Sequence, residues 1–204
     1  PNAASWIPGT IGVGYEASPN SGTSYATLLG LELRSRMQNR STTAYIRIPF
    51  SADRKALESA RALFMELKYD DGFVAYLNGV RVASSNAPGQ LTSSSAASSN
   101  NSDTRALEFE QFDLSSFIPL LNEGANMLAI HGLNDGAGSS DFLILPRLVV
   151  TDSLPPVWPD LQLGTPITNA NSPVALTHAP DGSGRLFIVE RAGRIRIWDG
   201  GALR

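Results

Sequence analysis

Leu63, Met65, Leu67 and Tyr69 occupy every second position of one stretch, with Ala62, Phe64, Glu66 and Lys68 between them. That period of two belongs to a β-strand with one dry face. Similar runs predict strands at 45–50, 61–69, 73–77, 80–83, 105–112, 126–133 and 142–151. Asn78-Gly79 separates two of them, and this dipeptide suits the two-residue turn of an antiparallel hairpin. Long amphipathic helices are missing. Asp53 is placed to cap a helical turn over 54–60, and Asp113 one over 114–121 that Pro119 and Gly124 keep short. Short strands with turn residues between them predict an all-β fold, an antiparallel sandwich of two sheets.

The run 92–102 is almost entirely Ser, Ala, Asn and Thr. With so little apolar surface it reads as a mobile surface loop, either a plain connector or part of a binding rim. Three prolines within 154–159 mark the domain boundary, since they stiffen the backbone and cannot join a central ladder. The expected organisation is a sandwich module over 1–152, a linker over 153–163 and a strand-rich segment over 164–204. Three short strands are predicted in that last segment, at 174–177, 186–190 and 194–198.

Composition narrows the functional classes. A net charge of −3 over 204 residues leaves no basic stripe for phosphate, so nucleic acid and anionic membrane are poor partners. The absence of cysteine removes disulfides, thiol catalysis and thiolate metal sites together. It suits a bacterial secreted, periplasmic or cell-surface protein. No apolar run approaches the ~20 residues of a membrane-spanning helix, so membrane insertion is not expected.

Two stretches carry family resemblances. "DGFVAYLNGVRVA" at 71–83 and "FDLSSFIPLLNEGANMLAIHGLN" at 112–134 resemble the galactose-binding-like jelly roll, the sugar-binding module of β-galactosidase-type glycosidases and of many carbohydrate-binding modules. "PVALTHAPDGSGRLFIVERAGRIRIWDGG" at 173–201 is similar to the opening blade of glucose/sorbosone dehydrogenases, six-bladed propellers that use pyrroloquinoline quinone. The second resemblance implies that Glu190, Arg191, Gly193 and Arg194 are blade architecture. It also implies that the quinone-holding residues lie in later blades, so no cofactor is expected within these 204 residues. One blade cannot bury its own faces, and a longer parent protein is the expectation.

Candidate chemistry is sparse. His131 falls at a sheet position and His178 near the Pro180-Asp181-Gly182 turn, and no nucleophile elbow accompanies either. No catalytic residue is assigned. Asp70 and Asp71 read as caps of the turn opening the 73–77 strand, because successive strand positions face opposite ways. Gly9, Gly12 and Gly14 do not form the dinucleotide fingerprint and read as turn or close-packing glycines.

For a glycan, ring faces and planar polar groups are needed. Trp6, Tyr15 and Tyr25 in the irregular N-terminal stretch supply the first, and Arg34, Arg36, Asn39 and Arg40 the second; burial of Trp6 in the core is an equal alternative. Tyr45, Tyr69 and Tyr76 lie on strands and are assigned to packing. The jelly-roll resemblance further implies a structural calcium, with Glu16, Asp135 and Asp141 as candidate ligands, against the reading that they only cap turns and line a solvated rim.

The resulting expectation is a non-catalytic module for glycan or polysaccharide, accessory to a quinone-dependent sugar dehydrogenase-like protein. The alternative is an assembly module that pairs strands with envelope proteins or its own copies.

Overall fold

The computed structural model describes residues 6–18, 23–153 and 166–204. The proline run at 154–159 lies outside them. The chain divides into two compact units, 1–156 and 157–204.

The first unit contains β1 (Val13–Glu16), β2 (Leu31–Glu32), β3 (Thr43–Ala52), β4 (Ala62–Asp70), β5 (Gly72–Leu77), β6 (Val80–Ser85), β7 (Glu110–Asp113), β8 (Gly124–Leu133) and β9 (Asp141–Thr151). They form a five-stranded sheet in the order β2-β1-β9-β4-β7 and a four-stranded sheet in the order β3-β8-β5-β6. Every pairing is antiparallel except β1 with β2. Leu63, Met65, Leu67 and Tyr69 from β4, with Phe142 and Ile144 from β9, bury one face of the first sheet. Ala44 and Ile46 of β3, Phe73, Ala75 and Leu77 of β5, and Leu128 and Ile130 of β8 bury the facing side of the second. The alternation read in the sequence is thus the alternation of core and outer face, and the all-β sandwich is realised.

Local chemistry explains several junctions. Asn78 and Gly79 both take positive φ, 49° and 88°, as the hairpin from β5 to β6 requires. Asp53 accepts the Ala56 N–H at 2.7 Å and starts α2 (Arg54–Ser59). Asp113 accepts the Ser115 N–H at 2.8 Å ahead of a 3-10 turn at Ser115–Leu120. At Gly14 an added Cβ would fall 1.9 Å from the Phe142 carbonyl oxygen, so only glycine lets β1 lie against β9.

Three expectations are corrected. Residues 105–112 are not one strand: α3 (Asp103–Ala106) precedes β7, because Ala106 packs beneath Tyr25 and Leu143 on the outer side of the five-stranded sheet. The polar run 92–102 is tied down rather than loose. Thr43 Oγ1 donates to the Ser93 carbonyl, Thr42 Oγ1 to that of Ser95, and Asn101 is buried, with its Nδ2 donating to the Tyr69 carbonyl. Hydrogen bonds hold this segment where apolar contact could not. Finally, the short β1 and β2 and the single-turn α1 (Arg34–Met37) form where no strand or helix was predicted.

The second unit holds an antiparallel meander of β10 (Pro173–His178), β11 (Leu186–Glu190) and β12 (Ile195–Trp198). Its Pro180-Asp181-Gly182 turn is fastened by Asp181, which accepts the Ser183 N–H and pairs with Arg185. Glu190 is buried, accepts the Asn171 N–H at 2.7 Å and pairs with Arg194 at 2.7 Å. Glu190 and Arg194 therefore brace the hairpin between β11 and β12. His178 ends β10 exposed.

Candidate functional site

Register places one set of side chains on the outer face of the four-stranded sheet. Since Ile46, Ile130 and Ala75 face the core, their neighbours face out. Tyr45 of β3, His131 of β8 and Val74 of β5 form one row. Arg47, Ala129, Tyr76 and Arg81 of β6 form the next. Ala129 is small between large neighbours, and a hollow of about 470 Å³ opens there, walled by Trp6, Tyr45, Arg47, Tyr76 and His131.

The wall is partly preorganised. Tyr45 is 54% exposed and stacks on His131 with ring centres 4.4 Å apart. The Arg47 guanidinium sits over the Trp6 ring, 5.3 Å from its centre. Burial pushes the His131 imidazole below its ordinary value, so the ring is neutral at pH 7. The Trp6 indole Nε1 and the His131 Nε2 are both buried without a hydrogen-bond partner among the described residues. A wider trough of about 1260 Å³ adjoins this hollow, lined by Ile7, Ile11, Val13, Leu31, Ile48 and Pro146 among others. Trp6, Tyr45 and Arg47 line both.

A second constellation lies on the outer side of the five-stranded sheet. Carboxylate oxygens of Asp70, Asp103 and Asp141 come within 4.8 Å of one another. Asp70 accepts the Tyr25 hydroxyl at 2.7 Å; burial first, then the facing Asp71, pushes its carboxyl up to about 9. Burial likewise lifts Asp141 to about 6. Asp71 is buried yet satisfied, accepting from the Asn100 side chain and from the backbone N–H groups of Asn101 and Asp135. Beside Asp141, the buried Asn134 donates to the Tyr15 hydroxyl and the Asp141 carbonyl, while its own Oδ1 has no partner.

These positions revise the expected sites. Tyr15 and Tyr25 have no exposed ring face: both are fully buried, with their hydroxyls turned toward Asn134 and Asp70. Desolvation raises the Tyr15 hydroxyl to about 12. Trp6 does border the outer hollow, but Arg34, Arg36 and Asn39 do not. Arg34 donates to the Gln38 side chain, and the Asn39 N–H donates to the Ala137 carbonyl. Tyr69 packs in the core and Tyr45 packs cross-strand on His131, as assigned, and both Tyr45 and Tyr76 border the outer hollow. The parity of Tyr45 against Ile46 and Ile48 is the sequence signal for this. Of the calcium candidates only Asp141 belongs to the carboxylate triad. Glu16 spends its oxygens on the N–H groups of Ser18 and Tyr25, and Asp135 turns to Asp71. Asp70 and Asp71 do not cap the turn opening β5; their carboxyl groups accept from Tyr25, Asn100, Asn101 and Asp135 instead. The alternation rule fails because Asp71 belongs to neither strand but joins β4 to β5.

No family model and no curated protein matches the chain. Among solved structures it is similar to a β-D-mannosidase from Dictyoglomus thermophilum at a TM-score of 0.31 and 18% identity, over 46% of this chain and 9% of that one. It is also similar to an α-L-rhamnosidase from Aspergillus terreus, at 0.34 and 10%, over 77% of this chain and 13% of that enzyme. The chain therefore spans only a small part of either.

Proposed function

We propose that the first unit is a non-catalytic carbohydrate-binding module whose contact surface is the aromatic hollow over Ala129. The observation that carries this reading is the grouping of Trp6, Tyr45 and Tyr76 around an open floor. Ring faces of this kind match the C–H surfaces of a pyranose, and the flanking polar atoms match its oxygens. Binding through such a site would hold an attached catalytic domain near polysaccharide and raise its local substrate concentration. Titration of the chain against a glycan panel tests it. Tyr45→Ala should weaken binding about tenfold at unchanged melting temperature. A folded protein that binds no glycan ends the proposal.

The carboxylate triad is proposed to hold a calcium ion. The donor set fits: hard oxygens from Asp70, Asp103 and Asp141, within 4.8 Å of one another. A bound dication would let these carboxyls ionise and would brace α3 against β4 and β9.

The parent protein is proposed to be a secreted or periplasmic quinone-dependent sugar dehydrogenase. The support is the likeness of residues 173–201 to a first propeller blade. On this reading the 204-residue chain reduces no dye with added quinone, and activity appears only when further blades are supplied.

A second reading, assembly through strand pairing, is favoured by β10, an edge strand of its sheet, on which Val174 and Leu176 are 62% and 63% exposed. Concentration-dependent mass in light scattering, lost on deleting 154–204, would distinguish it from a monomeric lectin-like module.

A further inference from the structure

The polar atoms around the Ala129 hollow are unbalanced. A neutral sugar presents hydroxyls that both donate and accept, and sites for it ordinarily mix Asp, Asn or Gln acceptors with donors. Here the set is the indole N–H of Trp6, which only donates; the Arg47 guanidinium, which only donates; the Nε2 of neutral His131; and the hydroxyls of Tyr45 and Tyr76. No carboxylate or side-chain amide lines the hollow.

The imbalance extends across the sheet. Outward positions in the paired rows are Thr43, Leu133 and Gly72; Tyr45, His131, Val74 and Ser84; Arg47, Ala129, Tyr76 and Arg81; Pro49 and Met127; Ser51 and Ala125. Two arginines and no Asp or Glu stand among them, although the protein as a whole carries a net charge of −3. Arg54, Arg105, Arg147, Arg185, Arg194, Arg196 and Arg204 are all ion-paired. Among the described residues Arg47 and Arg81 are in no ion pair, nor are Arg34, Arg36, Arg40, Arg61 and Arg191 elsewhere. Two residues of the same wall, Trp6 and His131, each carry a buried nitrogen without a partner among the described residues, and such groups are costly when left bare.

We infer that the hollow over Ala129 takes a carboxylate-bearing sugar, a hexuronic acid residue of a polysaccharide, in preference to its neutral counterpart. The inference rests on the glycan-binding reading above and names the substrate class of that same site. The sugar ring lies between the aromatic side chains, and its carboxylate accepts from Trp6 Nε1 and the Arg47 guanidinium. Charge-assisted bonds of this kind are stronger than neutral ones, and the surrounding face adds no repelling charge.

The test is calorimetric titration of the whole chain with oligogalacturonate and glucuronoxylan oligomers, with the same oligomers after carboxyl reduction, and with a sulfated galactan. The acidic oligomers should bind at least about tenfold tighter than the reduced ones. That margin should shrink as salt is raised. Arg47→Met should erase the margin by weakening the acidic oligomers far more than the reduced ones, and Trp6→Phe, which keeps a ring but loses the N–H, should narrow it. Equal binding of acidic and reduced oligomers overturns the inference and leaves glycan binding standing. So does binding of sulfated galactan in place of uronates, whereas failure to bind any glycan overturns both.

Discussion

Asp70 keeps its proton through the neutral range because it is buried against Asp71 under the Tyr25 hydroxyl. Its carboxyl moves from 3.8 to about 9 on folding, so between those values the unfolded chain has released a proton that the folded chain retains. Stability contributed here is complete below pH 4 and falls as pH rises toward 9. Asp70→Asn, which is neutral at every pH, should flatten that slope and raise the melting temperature at pH 8 in calcium-free buffer. Thermal melts at pH 5 and pH 8 check it. At the other site, Ala129→Leu should fill the hollow and abolish glycan binding while the fold persists, as titration beside circular dichroism would show. Tyr45 could be found by parity, and Trp6 by its place in an irregular stretch. Asp70 and Asp103 could not: their meeting depends on α3 folding back over β4 and β9, which no local pattern encodes.

The elements follow local rules to different extents. The strands β3 and β4 are legible because each alternates over five or more residues, β5, β8 and β9 because they are apolar runs between turn residues, and β10 to β12 because turn residues punctuate them. The stretch 105–112 misled because Leu107 and Phe109 mimic a strand, while Ala106 packs better as part of a helical turn. The polar segment 92–102 misled differently, since its order comes from side-chain hydrogen bonds that have no periodicity to read. The β5–β6 hairpin is the most sharply encoded of all. At Gly79, where φ is 88° and open space surrounds the missing Cβ, alanine should destabilise by about 1 kcal/mol through backbone strain alone. Asp53→Ala should cost a similar amount, about 1 kcal/mol, by removing the cap of α2. Urea denaturation at unchanged m-value measures both.

At the scale of the molecule, the two candidate sites of the first unit lie on the outer sides of different sheets, the carboxylate triad on the five-stranded sheet and the aromatic hollow on the four-stranded one. If calcium joins Asp70, Asp103 and Asp141, millimolar calcium should raise the first unit's melting temperature by several degrees and Asp70→Asn should remove most of that gain. Binding of glycan to the opposite sheet should be insensitive to that substitution. In the second unit, Val174→Lys with Leu176→Lys should abolish any concentration-dependent mass if strand pairing drives assembly, as light scattering would register.

The guanidinium resting on Trp6 also gives the protein an optical gauge. Trp6 is one of three tryptophans, so in a variant carrying Trp158→Phe and Trp198→Phe any emission that changes on adding saccharide originates at the hollow. A carboxylate drawing Arg47 off the indole should move that emission, giving a label-free readout of occupancy.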